Sequence, residues 1–330
     1  MQIGKDCFDD VEVEAFIESN STTNGKCEVC HTYGKVIDSL ELRDFFVSLL
    51  QLFEASTSGF LISEIILNDW GIFKNKIVAD TILREVLAEG QFNYDENTKV
   101  NYTKDILERI GVWDRLKNSV KHNFRFFTSI DEIAKYKYIT SGSQLLKGRK
   151  LYRSRITPYG QKKLKAKKMG CPPKELATAG RANPAGIPYL YLSDSAKTTY
   201  FEVRALYLDK LSVGTFEIVK DLKLVDFVYD VNLYAMCQDG DIPLKEVVVK
   251  KKVIDAISYD LSKPLRRYDS DLEYVPTQLI CEYCRNFADG ICFESSLYKG
   301  GHNYVLFDSS NANCISVESH EIRKIDIDRQ

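Results

Sequence analysis

The chain has 330 residues, 44% of them hydrophobic, with 45 Lys plus Arg against 47 Asp plus Glu and a net charge of −2. That length accommodates two domains of ordinary globular composition, and the near-neutral balance argues against a generic nucleic-acid binder, which carries an excess of basic residues. No long apolar run and no charged-then-apolar leader occurs, and nine cysteines scattered over a large chain fit a reducing compartment better than a disulfide framework. The expectation is a cytoplasmic protein with no membrane association.

The first 35 residues carry Cys7 and then Cys27-Glu28-Val29-Cys30-His31. A Cys-x-x-Cys knuckle wraps a zinc ion when two further ligands come within reach. Here Cys7 and His31 are the candidates, with a short helix over residues 8–18 placing Cys7 near the knuckle. The other reading is a set of reduced, structural cysteines. Residues 36–145 are predicted to be mainly helical. Leu40, Leu42, Phe45, Phe46, Leu49, Leu50 and Phe53 recur at helical spacing. Ile62, Ile65, Ile66, Ile77, Ile82, Leu83, Val86 and Leu87 continue the pattern across a turn at Gly71. Ile106, Ile110, Trp113 and Val120 mark a further helix weakened by Gly111. Arg115 and His122, six residues apart, fit the loose Arg–His spacing of HEPN ribonucleases. Two residues at a permissive spacing arise readily by chance, so these two are expected not to be catalytic.

Ser141-Gly142-Ser143 and Lys147-Gly148-Arg149 mark a join, dividing the chain into 1–145 and 146–330. The second part opens with a strand over 150–156, followed by a Lys-, Pro- and Gly-containing loop over 157–178 that can lie over a pocket. Strands over 214–219 and 222–227 suggest a hairpin around Lys220-Asp221. Residues 245–258 read as a helix, although the Val247-Val248-Val249 run weakens that pattern. A helix over 276–287 tolerates Pro276 in its first turn and packs Cys281 and Cys284 into the core. Strands over 291–293, 303–307 and 322–327 finish the chain. The basic clusters at 162–168 and 250–252 read as solvated. There is no internal repeat, and neither a dinucleotide fingerprint, a P-loop nor a serine nucleophile elbow is present.

The most informative stretch is 179–204, AGRANPAGIPYLYLSDSAKTTYFEVR. A Gly- and Pro-containing turn feeds an apolar run over 187–192, which reads as a buried strand. Ser193-Asp194-Ser195 supplies helix N-cap chemistry, and 196–206 continues as a helix. One loop–strand–helix unit therefore carries Arg181, Asn183, Tyr191 and Glu202. A cation, an aromatic ring and a carboxylate close together suit an anionic, ring-bearing ligand.

Gly180-Arg181, Asn183-Pro184, Gly186, Leu190-Tyr191, Asp194, Thr198 and Glu202 closely resemble the signature of the RES family, named for its Arg, Glu and Ser. The resemblance begins upstream at Leu151-Tyr152-Arg153-Ser154-Arg155. It continues through Tyr274-Val275-Pro276-Thr277-Gln278, Asp289-Gly290-Ile291 with Ser295-Ser296, and 303–307, covering about 149–310 in order. The head is similar to a domain that precedes some RES and HEPN domains and usually opens Cys-x-x-Cys-Phe; Gly4 stands where the first of those cysteines would be.

The resemblance implies an α+β protein: a helical N-terminal domain with a zinc knuckle, then an ADP-ribosyltransferase-like α/β domain with a mixed, split sheet. It implies an enzyme that consumes NAD by cleaving the nicotinamide–ribose bond, with water or inorganic phosphate as acceptor. Biologically it implies a growth-arresting toxin or defence effector held by a cognate antitoxin or regulatory protein. By matching positions, Glu202 faces the developing ribosyl cation and Tyr191 stacks on the nicotinamide. Arg153 and Arg181 bind NAD phosphates or the attacking phosphate. Ser295 bonds ribose or phosphate, with Asn303, Gln278 and Tyr274 in support; for Ser295 and Asn303, a turn cap and a strand-start hydrogen bond are equally good readings. Transfer of ADP-ribose to a protein, and an RNA-cleaving helical part, are the alternatives.

Overall fold

The computed structural model describes residues 1–90, 92–126, 128–131, 134, 142–263 and 271–324. Backbone contacts divide the chain into two compact units, Met1–Gly111 with Asp230–Lys251, and Val112–Tyr229 with Lys252–Gln330. The sequence division at 145/146 differs: 112–145 group with the second unit, and 230–251 return to the first.

The first unit opens with a three-stranded antiparallel sheet, order β1 (Gln2–Gly4), β3 (Tyr33–Asp38), β2 (Thr23–Lys26). Its first helix, Val11–Asn20, starts three residues later than the sequence suggests. Asp10 accepts from the Glu12 and Val13 amides, which fixes the cap, and Phe8 is drawn into a bridge with Phe73 instead.

Helices Arg43–Leu50, Ile62–Trp70 and Lys76–Glu89 follow the expected periodicity, and Gly71 closes the second of them at φ +58°. The segment is not mainly helical throughout, however. A strand, β4 (Phe53–Leu61), pairs antiparallel with β5 (Lys99–Tyr102), with a register shift between Ala55 and Phe60. At that irregularity a Cβ on Gly59 would lie 1.9 Å from the Val100 carbonyl oxygen, so only glycine fits. Gly111 separates two helices, Lys104–Ile110 and Val112–His122, rather than weakening one.

The second unit is built on an eight-stranded sheet. Its order is β13 (Ala312–Glu321), β9 (Lys210–Ile218), β7 (Lys150–Ile156), β8 (Leu190–Ser193), β12 (His302–Leu306), β11 (Gly290–Glu294), β10 (Leu222–Asp226), β6 (Gly142–Leu145). Only β10 and β11 pair in parallel, which makes the sheet mixed. Leu151, Leu190, Leu192, Phe216, Ile218, Leu224, Cys292 and Leu306 form one buried cluster with Met169. The alternation of a pleated strand leaves Tyr191 and Ser193 on the other face.

Three sequence expectations are corrected here. The strands around Lys220-Asp221 exist but do not form a hairpin: β9 pairs with β7 and β13, and β10 with β11 and β6. The final strand lies over Ala312–Glu321 rather than 322–327; residues 322–324 are irregular, and 325–327 lie outside the described residues. The helix at the centre of the signature is Ala196–Glu202, four residues shorter than predicted. Strand 150–156 and the Pro276-containing helix, here Val275–Cys284 with Cys281 and Cys284 fully buried, match expectation. Among the described residues no helix is long and apolar enough to cross a membrane.

Candidate active site

One row of the sheet prepares the site. Register pairs Tyr152 with Ser193, Ser193 with Asn303, and Asn303 with Phe293, so four neighbouring strands present these side chains on one face. All four line a cavity of about 330 Å³, together with Arg153, Arg181, Tyr191, Glu202, Leu261 and Tyr274. That volume suits a small ligand or one end of a larger one.

Glu202 arrives from the last turn of helix Ala196–Glu202. The Ser195 hydroxyl accepts from the Thr198 amide and so starts that helix. Asp194 accepts from the Thr198 hydroxyl and from the His302 amide, fastening the helix start to β12. Ser154 and Thr199 join their hydroxyls, tying β7 to the same helix. The helix stops because Arg204 takes φ +49° and the Ala205 amide reaches back to the Tyr200 carbonyl, a Schellman closure with arginine where glycine is usual.

The carboxylate is held by two donors. The Ser295 hydroxyl and the Asn303 side-chain amide each donate to Glu202 Oε1 at 2.7 Å. Asn303 is oriented by Ser193, whose hydroxyl donates to its Oδ1 at 2.7 Å. Ser193, Ser295 and Asn303 are buried, at 3%, 7% and 7% exposure, while Glu202 is exposed, so the acid faces open space from a rigid support. In the sequence, Ser193 offers only cap chemistry. Ser195 does that work, which leaves Ser193 to position Asn303.

Arg181 stands on the turn before β8, and its Nη1 donates to the Leu261 carbonyl at 2.7 Å. Burial pushes its guanidinium down from the ordinary value, and the nearby Glu202 carboxylate is the largest influence opposing that. The turn itself is over-determined. Thr277 donates to the Arg181 carbonyl at 2.6 Å, and Gln278 donates to the Gly180 and Asn183 carbonyls. Tyr191 donates to Asn183 Oδ1 at 2.7 Å and accepts from the Ala182 amide at 3.1 Å. A Cβ on Gly180 would lie 2.9 Å from the Tyr191 hydroxyl, so the ring can sit under the turn only because residue 180 has none. Burial drives the Tyr191 phenol well up from its usual range.

Arg153 lines the cavity too, but its Nη1 donates to the Gly170 carbonyl at 3.3 Å, an acceptor it shares with Arg155 Nη2 at 2.7 Å. Burial, then Arg155, pushes the Arg153 guanidinium down. Its engagement is with the 157–178 loop. Arg115 and His122 lie exposed on helix Val112–His122, and neither lines this cavity.

In the N-terminal unit, the sulfurs of Cys7, Cys27 and Cys30 all lie within 4.8 Å of one another. His31 is not part of that group; it occupies a left-handed turn position at φ +61°. Three sulfurs form a donor set suited to a soft or borderline cation.

A supported carboxylate, a half-buried arginine and an aromatic ring line one pocket, a set of groups suited to an anionic ligand that develops or carries positive charge near the acid. The sequence matches the RES domain over residues 150–328, more than half of the chain, and the protein belongs to the RES family. That family is associated with NAD-utilising toxins, which makes an NAD-related function the coarse assignment. The match begins at Lys150 and so does not extend to the cysteine-bearing head. Neither the curated proteins nor the solved structures contain a match to the chain.

Proposed function

We propose that this protein is an NAD-degrading enzyme that cleaves the nicotinamide–ribose bond, with Glu202 as the catalytic carboxylate. The observation that carries the reading is the geometry at Glu202: an exposed acid whose one oxygen is gripped by Ser295 and Asn303, with Arg181 beside it. The C–N bond breaks with its electron pair leaving on nicotinamide, whose ring cation is thereby neutralised. The positive charge passes to the ribose as an oxocarbenium-like species. A carboxylate held in place before that charge appears stabilises the transition state more than the ground state.

Arg181 supplies the anion clamp for the pyrophosphate, or for an attacking inorganic phosphate, through charge-assisted bonds. The Tyr191 ring offers a face to the nicotinamide while its hydroxyl stays committed to the turn. Arg153 acts from the loop side, through the Gly170 carbonyl it holds. Water as acceptor gives ADP-ribose and a proton; phosphate gives the ribose 1-phosphate ester. Capture of the same cation by a protein side chain is the second reading, favoured by the exposure of Glu202. An ADP-ribosyltransferase-like fold, a toxin or defence role, and a neutralising antitoxin complete the proposal.

The test is to incubate the purified chain with NAD, with and without phosphate or candidate protein acceptors, and identify products by mass spectrometry. Glu202→Gln keeps shape and removes charge, and turnover should fall on the order of 100-fold or more with little change in NAD binding. Wild-type turnover by folded Glu202→Gln protein would refute the assignment of the acid. Inertness of the wild-type chain toward NAD with every acceptor would refute the function.

A further inference from the structure

Cys7 closes the short turn after β1, Cys27 opens the tight loop between β2 and β3, and Cys30 lies within it. The Cys7 and Cys27 sulfurs are 3.5 Å apart. Metal-bound thiolates at about 2.3 Å from a tetrahedral ion lie about 3.8 Å from one another. The observed spacing is within a few tenths of an ångström of that value, and the third sulfur lies within 4.8 Å of both, so the three are placed to close on one ion.

A second observation separates this from three thiols packed together. The amides of Gly4, Val29 and Cys30 all point at Cys27 Sγ, at 3.4, 3.4 and 3.5 Å. A neutral thiol is a weak acceptor and gives little return for three converging N–H groups. A thiolate, free or bound to a cation, takes them well. Cys7 and Cys27 are 0% and 1% exposed, so three thiolates crowded here need a cation to be tolerated.

Among the described residues no fourth His, Cys, Asp or Glu joins the three sulfurs. His31 lies outside the sulfur group. Gly4, whose amide already touches Cys27 Sγ, brings no side chain; a Cβ there would stand 3.6 Å from the Cys27 Cβ. We propose that Cys7, Cys27 and Cys30 hold one zinc-type divalent cation through three thiolates, leaving the fourth coordination position to a small exogenous donor such as water or imidazole. The site is independent of the NAD reading.

The experiment uses the full chain, stripped of metal under reductant and titrated with Co²⁺. One equivalent should produce sulfur-to-cobalt charge-transfer absorption with the visible bands of a tetrahedral ion, and Zn²⁺ should displace it. Added imidazole should shift the visible bands, because it enters the open position. His31→Ala should leave all of this unchanged, and Cys27→Ser should abolish the charge-transfer band. A folded wild-type chain without that band overturns the metal site and leaves reduced structural cysteines. Bands indifferent to imidazole, or lost in His31→Ala, overturn the open position. The wild-type titration decides the first point even where a variant fails to fold.

Discussion

At the scale of single residues, the site separates groups that line the cavity from groups that hold them. Tyr191 does both, and Tyr191→Phe divides the roles: the ring remains, while Asn183 Oδ1 and the Ala182 amide lose their shared partner. Leaving buried polar groups unpaired costs about 1–3 kcal/mol. The variant should therefore lose stability of that order in chemical denaturation. It should also lose turnover with NAD, since the turn carrying Arg181 rests on that hydroxyl. A variant as stable as wild type would mean that Thr277 and Gln278 fix the turn without it. Glu202, Arg181, Ser295 and Asn303 were legible in the sequence because motif order named them, and the fold brings all four together at one cavity or one carboxylate. Ser193 was not legible, because a serine before a helix reads as a cap whichever of two serines does the capping.

Elements were readable where local chemistry decides them and unreadable where distant pairing does. Strand 150–156 and the cap at Ser195 follow from their own residues. The end of helix Ala196–Glu202 does not, because Arg204 adopts the left-handed conformation without the glycine that would announce it. Strand β13 has a mostly exposed, polar sequence and became a strand by pairing with β9 along its length. Likewise β9 and β10 lie close in sequence, yet their partners come from 150–156 and from 290–294. The caps themselves carry a prediction. Ser195→Ala removes the acceptor for the Thr198 amide and should cost about 1 kcal/mol in urea unfolding. Because Glu202 ends the same helix, catalytic turnover should fall with it; a variant with unchanged unfolding free energy would place the burden on Asp194 alone.

At the scale of the whole molecule, the two ways of dividing the chain make different claims about residues 112–145, and fragments distinguish them. In the structure these residues belong with the sheet-bearing unit. Trp113 is fully buried and donates through Nε1 to Asp260 at 2.7 Å, and Lys117 pairs with the same carboxylate at 2.9 Å. Lys121 reaches Glu273 at 2.7 Å. Strand β6 covers the edge of β10 and buries Leu145 to 6% exposure. Fully burying a single large apolar side chain contributes about 1.5–3 kcal/mol, and an uncovered strand edge invites aggregation. A fragment spanning 146–330 should therefore melt well below one spanning 112–330 and aggregate sooner. Both retain 230–251, so whatever that segment loses without the rest of the first unit is common to the pair. The difference in melting temperature then reports 112–145 alone. Equal melting of the two fragments would restore the boundary at 145 and assign the helix Val112–His122 to the N-terminal part.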